Sequence, residues 1–302
     1  MIEEVIELLA SKLGLKEYKS RFFLIESGGY DMATSKFTIV LTSRGFSEKF
    51  FTKISNSVHL SNYLKKESEN LSLLNKYEVD GIPEAVASGN IGGRYFLVEK
   101  FIEGRRLGSS EQLNNIYPAA EAWLKGLYTK TETSKIEPSE LLKRVEGYVS
   151  SASEFFDIDN LLSLMEKISP QEPLRTFVIH GDFWHGNMIR NKEGKIFLTD
   201  FALSAEREPP VDMIDLLADY EFKYLLDEEK LSSCMSTFLT DSTDPVFFAL
   251  YSMVRKLAAK LKTRIILYDQ YLVKDLDSSM LEIREAGILK LLIQLYSKKG
   301  SN

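Results

Sequence analysis

The chain has 302 residues, 44% of them hydrophobic, enough to fill two modest domains without disulfide or metal staples. Lys and Arg total 38 against 44 Asp and Glu, a net charge of −6 that argues against a dedicated nucleic-acid binder. Cys234, the single cysteine, cannot close an internal disulfide, no apolar run approaches the length of a membrane span, and Met1-Ile2-Glu3-Glu4 carries acids where a secretion signal carries bases; the default expectation is a soluble, cytoplasmic protein.

In chain order, Ile2, Val5, Ile6, Leu9 and Leu13 recur at helical spacing and predict an opening amphipathic helix. Phe22 to Glu26, Lys36 to Thr42 and Lys49 to Ile54 are β-branched or aromatic runs, broken by Ser27-Gly28-Gly29 and Ser43-Arg44-Gly45, and predict three meandering antiparallel strands. Asn56-Ser57 supplies helix caps for a run from Leu60 to Tyr77, with Leu64, Leu71 and Leu74 on one side. Gly81-Ile82-Pro83 ends that helix, Glu84 to Gly89 is short and extended, and Arg94 to Phe101 is a strong strand. Beyond about 105 the pattern is helical, with amphipathic segments near 110–129, 138–156, 211–226, 245–262 and 278–297. With no repeat or flexible linker, residues 1–103 and 104–302 are expected to pack as a sheet-rich and a helical lobe of one unit.

One stretch interrupts the helical part. A β-rich run from Thr176 to Ile179 delivers His180-Gly181-Asp182 onto a loop, Asn187 follows just past it, and an Asn-Lys-Glu-Gly turn at 191–194 sends a second short strand to Asp200. Two carboxylates and an amide in that order suit phosphoryl transfer, which needs one carboxylate near an acceptor hydroxyl and oxygen ligands for magnesium.

His180-Gly181-Asp182 through Asn187, then Asp200, resembles the catalytic loop and metal-binding aspartate of the aminoglycoside phosphotransferase and choline kinase group. The resemblance implies an α+β, bilobal protein-kinase-like fold, with a small antiparallel sheet lobe carrying one main helix and a larger, mostly helical lobe. It implies that Asp182 orients the acceptor hydroxyl and takes its proton, while Asn187 and Asp200 hold Mg2+ against the phosphates of ATP or GTP. It also places Lys53 on the third strand to reach the phosphates, with Glu67 as its helix partner and Glu69 as the fallback. Gly28 and Gly29 fall where the group has its phosphate-covering loop. Glu99 to Gly104 resembles the hinge, where Glu99 and Phe101 would meet the base through backbone groups alone. Asp215, with Asp212 as rival, is expected to prop the catalytic loop from the start of a helix.

The implied activity is transfer of a γ-phosphoryl group to a hydroxyl of a small metabolite, with nucleotide and acceptor as partners and neither nucleic acid nor membrane involved. Asp212, Glu206 and Glu208 are candidates to meet a cationic acceptor. Many relatives have His-Pro where this chain has Trp184-His185, and the Trp resembles the loop of fructosamine kinases, which raises a ketoamine acceptor. The rival readings are a catalytically inactive, nucleotide-binding regulatory relative and a protein kinase; against the latter, no activation segment or Ala-Pro-Glu anchor follows Asp200. His180 is read as a structural residue of the loop, and the scattered histidines do not resemble a zinc site. Leu281, Ile288, Leu292 and Leu295 form a stripe expected in the core. Neither the acceptor nor the oligomeric state is encoded in any motif.

Overall fold

The structure, a computed structural model, describes residues 2–25, 36–43, 49–55, 58–108, 111–150, 157–221, 223–239, 243–271 and 284–299. The chain forms two compact units, one of residues 1–108 with 186–204 and the other of 109–185 with 205–302. The hairpin that carries Asn187 and Asp200 therefore belongs to the first unit, although its neighbours in sequence on both sides belong to the second.

The first unit opens with α1 (Ile2–Lys12), followed by β1 (Tyr18–Ile25), β2 (Lys36–Ser43), β3 (Lys49–Ser55), α2 (Val58–Lys76), β4 (Ala85–Ile91) and β5 (Arg94–Lys100). The five strands form one antiparallel sheet in the order β1-β2-β3-β5-β4. Its two faces follow from the period of two along a strand. Phe50 and Ile54 of β3 join Phe96 and Val98 of β5 and Leu9 of α1 in one buried cluster. The alternate residues, Lys53 of β3 with Leu97 and Glu99 of β5, lie on the opposite face. On α2, Leu64, Leu71 and Leu74 are buried, as the sequence spacing predicts.

A second sheet in this unit joins β6 (Arg105–Arg106), β10 (Met188–Arg190) and β11 (Ile196–Leu198) in the order β11-β10-β6. Gly194 closes the β10–β11 turn with φ +82°, donating to the Asn191 carbonyl. Gly104, just before β6, passes so close to β10 that a Cβ there would sit 2.6 Å from both the Arg190 carbonyl oxygen and Ile189 Cγ2.

The second unit is mainly helical: α3 (Leu113–Thr131), α4 (Pro138–Val149), α5 (Ile158–Lys167), α6 (Asp212–Glu221), α7 (Lys223–Leu226), α8 (Glu228–Met235), α9 (Pro245–Tyr271) and α10 (Arg284–Lys299). Short strands β7 (Lys135–Ile136) and β8 (Leu174–Arg175) pair with each other, as do β9 (Phe177–Ile179) and β12 (Ala205–Glu208). The core is dominated by α6 and α9, where Val211, Met213, Ile214, Leu216 and Leu217 and the run Val246 to Leu250 are buried. Of the C-terminal stripe, Ile288 and Leu292 are buried, while Leu281 lies outside the described residues, as do the caps Asn56 and Ser57. Among the described residues no helix is long and apolar enough to cross a membrane.

Gly104→Ala is expected to destabilise the protein by about 1–3 kcal/mol, because the methyl group meets the Arg190 backbone as well as the β-branched Ile189 side chain. Urea unfolding compared with Gly126→Ala, whose Cβ would meet nothing within 4 Å, checks this.

Candidate active site

In the first unit, strand alternation turns Lys53 away from the α1 core and toward two acids. Its Nζ lies 2.6 Å from Glu67 Oε1 and 3.0 Å from Glu99 Oε1, and all three side chains are buried. A buried ammonium persists only when paired in this way. Burial alone would lower the Lys53 pKa, but the charges of Glu67, Glu99 and Asp200 outweigh it and hold the ammonium well above its ordinary range. Two carboxylates sharing one cation leave an excess negative charge, and Glu67 Oε2 is buried without a hydrogen bond. Burial, reinforced by Glu67, pushes the Glu99 carboxyl up from 4.5 to about 7 even though Lys53 opposes it. Glu69, the fallback, is exposed and faces Lys65 at 3.9 Å.

Asn187 and Asp200 flank the end of the β10–β11 ladder. Met188 pairs with Leu198, and one step further the Thr199 amide donates to the Asn187 carbonyl at 2.9 Å. Asn187 is buried within a short 3-10 turn, and Asp200 takes the left-handed conformation at φ +68°, a position that costs a non-glycine residue about 1–2 kcal/mol. The 3-10 turn after it, Phe201 to Leu203, is tied to α2 by Asn70, whose Nδ2 donates to the Phe201 carbonyl at 2.6 Å and the Ser204 carbonyl at 3.3 Å. Asn70 carries no motif signal, and only its spacing of one helical turn from Glu67 marks it afterwards.

The hinge segment differs from expectation in two respects. The Glu99 side chain, which the hinge resemblance gives no part, lies in the Lys53 cluster. The Phe101 amide donates to the Lys49 carbonyl at 2.9 Å, so that N–H belongs to the sheet. Gly28 and Gly29 lie outside the described residues.

In the second unit, Asp182 follows a loop whose backbone is committed on every side. The His180 and Gly181 amides donate to the two oxygens of Asp212, each at 2.9 Å, and the Tyr128 hydroxyl donates to Asp212 at 3.0 Å. The Gly181 carbonyl accepts from Arg255 of α9 at 3.0 Å, and Gly181 itself needs φ +81°. His180 is fully buried, its Nδ1 accepting the Asp182 amide at 3.3 Å and its ring meeting Phe183 edge-on. Phe183 stacks on Trp123, whereas Trp184 is partly exposed and lies edge-on to His185, which pairs with Asp219.

The expected prop, Asp215, is corrected to Asp212. Asp212 begins α6 and reaches back to the loop, whereas Asp215, one turn on, faces α9 and accepts from Ser252 at 2.6 Å. Its burial pushes the Asp215 pKa up, against the pull of Lys256 and Arg255. Two of the acids offered for a cationic acceptor are also occupied: Asp212 as described, and Glu208, buried against Tyr251 at 2.7 Å and Arg144 at 3.2 Å. Glu206 is exposed.

A model of the phosphotransferase enzyme family matches residues 33–224, well over half of the chain. The chain belongs to that family. Among its relatives, this phosphotransferase is 24% identical over 203 residues to a probable ketoamine kinase of Vibrio vulnificus, covering 59% of this chain and 68% of the relative. It shares its fold with the choline kinase LicA of Streptococcus pneumoniae, at TM-score 0.59 and 17% identity over 98% of this chain and 99% of the other. It also resembles the spectinomycin phosphotransferase APH(9)-Ia, solved with ADP and spectinomycin, at TM-score 0.56 and 15% identity over 97% of each chain. These likenesses establish the protein-kinase-like fold, with its antiparallel sheet and helical portions.

Asp212→Ala in this phosphotransferase is expected to cost at least about 3 kcal/mol, since two buried amides and a phenol each lose about 1–3 kcal/mol when orphaned; chemical denaturation measures it. Glu99 binds its proton more tightly folded than unfolded, so its contribution to stability is fully present below about pH 4.5 and is lost as pH rises toward 7. Glu99→Gln is therefore expected to gain stability relative to the unaltered protein between pH 5 and pH 8, read from urea midpoints across about that range.

Proposed function

We propose that this phosphotransferase transfers the γ-phosphoryl group of ATP or GTP to a hydroxyl of a small metabolite, with a ketoamine as the first acceptor class to test. The observation that carries the reading is the Asp182 carboxylate, 35% exposed on a loop whose backbone groups are locked by Asp212 and Arg255. Such a carboxylate is held in place yet accessible, as a group that orients an incoming hydroxyl must be.

In the proposed reaction the acceptor oxygen attacks the γ-phosphorus and its proton passes to Asp182. A new P–O bond forms as the bond to the β,γ-bridging oxygen breaks, and the nucleoside diphosphate leaves with that oxygen's electron pair. Lys53 supplies positive charge to the phosphates, and Glu67 and Glu99 hold its ammonium in position. The amide oxygen of Asn187 and the carboxylate of Asp200 are hard donors suited to Mg2+, which binds through one or two such groups and completes its shell with phosphate and water. Among the described residues no three His, Cys, Asp or Glu side chains gather to hold a metal unaided, consistent with a cation that arrives with its nucleotide. When bound, Mg2+ would neutralise phosphate charge.

Support for a ketoamine comes from sequence likeness, in Trp184 of the Asp182-Phe183-Trp184 loop and in the Vibrio vulnificus relative. Trp184 is partly exposed two residues from Asp182, where an indole face can stack on a sugar or amino-acid substituent.

The test is transfer of label from γ-labelled ATP or GTP, with Mg2+, to pooled ketoamines, amino alcohols, sugars and aminoglycosides. Label is expected in one pool only, to be abolished by EDTA, and to fall about 10²–10⁴-fold in Asp182→Asn. Lys53→Met is expected to weaken nucleotide binding, measured by calorimetry. Undiminished transfer by Asp182→Asn would sink the mechanism, and nucleotide binding without transfer to any pool would favour a regulatory protein.

A further inference from the structure

α9 approaches the loop bearing Asp182 through two consecutive residues. Arg255 donates to the Gly181 carbonyl at 3.0 Å, and Lys256 places its Nζ 3.9 Å from Asp182 Oδ1 and 3.3 Å from Asp215 Oδ2. Lysine on a helix ordinarily carries its ammonium out to water. Here the Lys256 side chain is only 13% exposed, folded back between two carboxylates.

Asp215 accepts from Ser252 through Oδ1 at 2.6 Å, while its buried Oδ2, which has no hydrogen bond, faces Lys256 at 3.3 Å and Arg255 at 3.6 Å, so Lys256 is its nearest cation. The same ammonium also reaches Asp182, so one lysine bridges the buried acid and the partly exposed one. Asp215 in turn is fully buried and starts on the helix whose Asp212 holds the loop amides. The ammonium is thus fixed from below by a carboxylate that cannot itself move far.

We propose that Lys256 is a positioning residue for phosphoryl transfer, holding the Asp182 carboxylate in the orientation that receives the acceptor hydroxyl while Asp215 anchors the lysine. The proposal rests on the reading of Asp182 given under the proposed function. The backbone contacts of Asp212 and Arg255 set where residues 180 and 181 lie, and Lys256 adds a restraint on the Asp182 carboxylate itself. A carboxylate turned by about 1 Å can cost about 10²-fold in rate with the reactants still bound.

The test compares the unaltered protein with Lys256→Met, Lys256→Arg, Asp182→Asn and the double variant Asp215→Asn/Lys256→Met. Each is assayed with MgATP and a glucose-derived ketoamine of lysine, MgATP hydrolysis without acceptor is followed in parallel, and melting temperatures and crystal structures are determined. Lys256→Met is expected to lose about 10²-fold in kcat with both KM values little changed, and Lys256→Arg to recover part of it. The double variant, which removes the Lys256–Asp215 pair but leaves the buried Arg255 without that acid, is expected to melt below the unaltered protein and to remain slow, and the Asp182 carboxylate is expected to turn in the Lys256→Met crystal. Full kcat in Lys256→Met, a rate restored together with stability in the double variant, or an unmoved Asp182 would overturn the proposal. Asp182→Asn separates the two readings: if it transfers phosphate at the unaltered rate the functional reading fails, and the crystal comparison alone decides whether Lys256 positions residue 182. The same comparison decides if neither the ketoamine nor water receives phosphate.

Discussion

The buried carboxylate of Asp212 is the constraint on which the loop of the second unit depends. Two amides from one turn of chain, those of His180 and Gly181, end on its two oxygens, and the Tyr128 hydroxyl from α3 ends there as well. An acid at the start of α6 is doubly favoured, by the positive end of the helix and by donors that replace its lost water. Removing water from an acid is costly, and only a complete set of donors makes the placement stable. The consequence is that residues 180 and 181 have almost no freedom, with Gly181 held by the Arg255 guanidinium on its carbonyl side as well. Asp182 inherits its position from a loop that is stiff for reasons located elsewhere.

The first unit solves a different problem, that of burying a cation for later use. Lys53 is surrounded by more negative charge than it can cancel, with Glu67 and Glu99 in contact and Asp200 contributing at longer range. Burial, with Glu67 and Asp200 adding to it, draws the protonation of Glu99 upward into the neutral range. A polyanionic ligand near Lys53 would meet a strongly held ammonium, since no shift of Lys53 toward neutrality is available to weaken it. Charge complementarity is therefore carried by one side chain whose own position is overdetermined.

Much of this was legible in the sequence where the signal was periodic or carried by a motif. The strands from Lys36, Lys49 and Arg94, the α2 helix with Leu64, Leu71 and Leu74, and the hairpin between Asn187 and Asp200 are all where alternation, helical spacing and turn chemistry place them. α5 and α8 lie outside the expected helical segments; Leu161, Leu164 and Met165 in the first and Leu231 and Met235 in the second stand at helical spacing, but each run spans only two or three turns, too short to mark an element by itself. Choosing Asp215 over Asp212 failed for a related reason. Both lie in the first turn of α6, and the apolar run after Asp215 says which face is buried but not which acid turns back to the loop. From sequence Glu99 reads only as hinge backbone, because its side-chain partner lies on another strand, and Arg255 and Lys256 carry no local signal at all. Contacts across long stretches of chain are outside the reach of local pattern.

Asn70 shows how these separate contacts become one device within the first unit. Glu67 and Asn70 are one helical turn apart on α2 and so share a face. Glu67 fixes Lys53, and Asn70 holds the carbonyls of the turn that begins after Asp200. Asp200 sits in a left-handed conformation, which aspartate tolerates better than most residues, and the Asn70 contacts to Phe201 and Ser204 hold the turn that follows it. A shift of α2 along its axis would move the partner of Lys53 and the anchor of the Asp200 turn together. The position of the cation and that of Asp200 are thus linked through one helix, which is seated by its buried leucines Leu64, Leu71 and Leu74 as well as by these polar contacts.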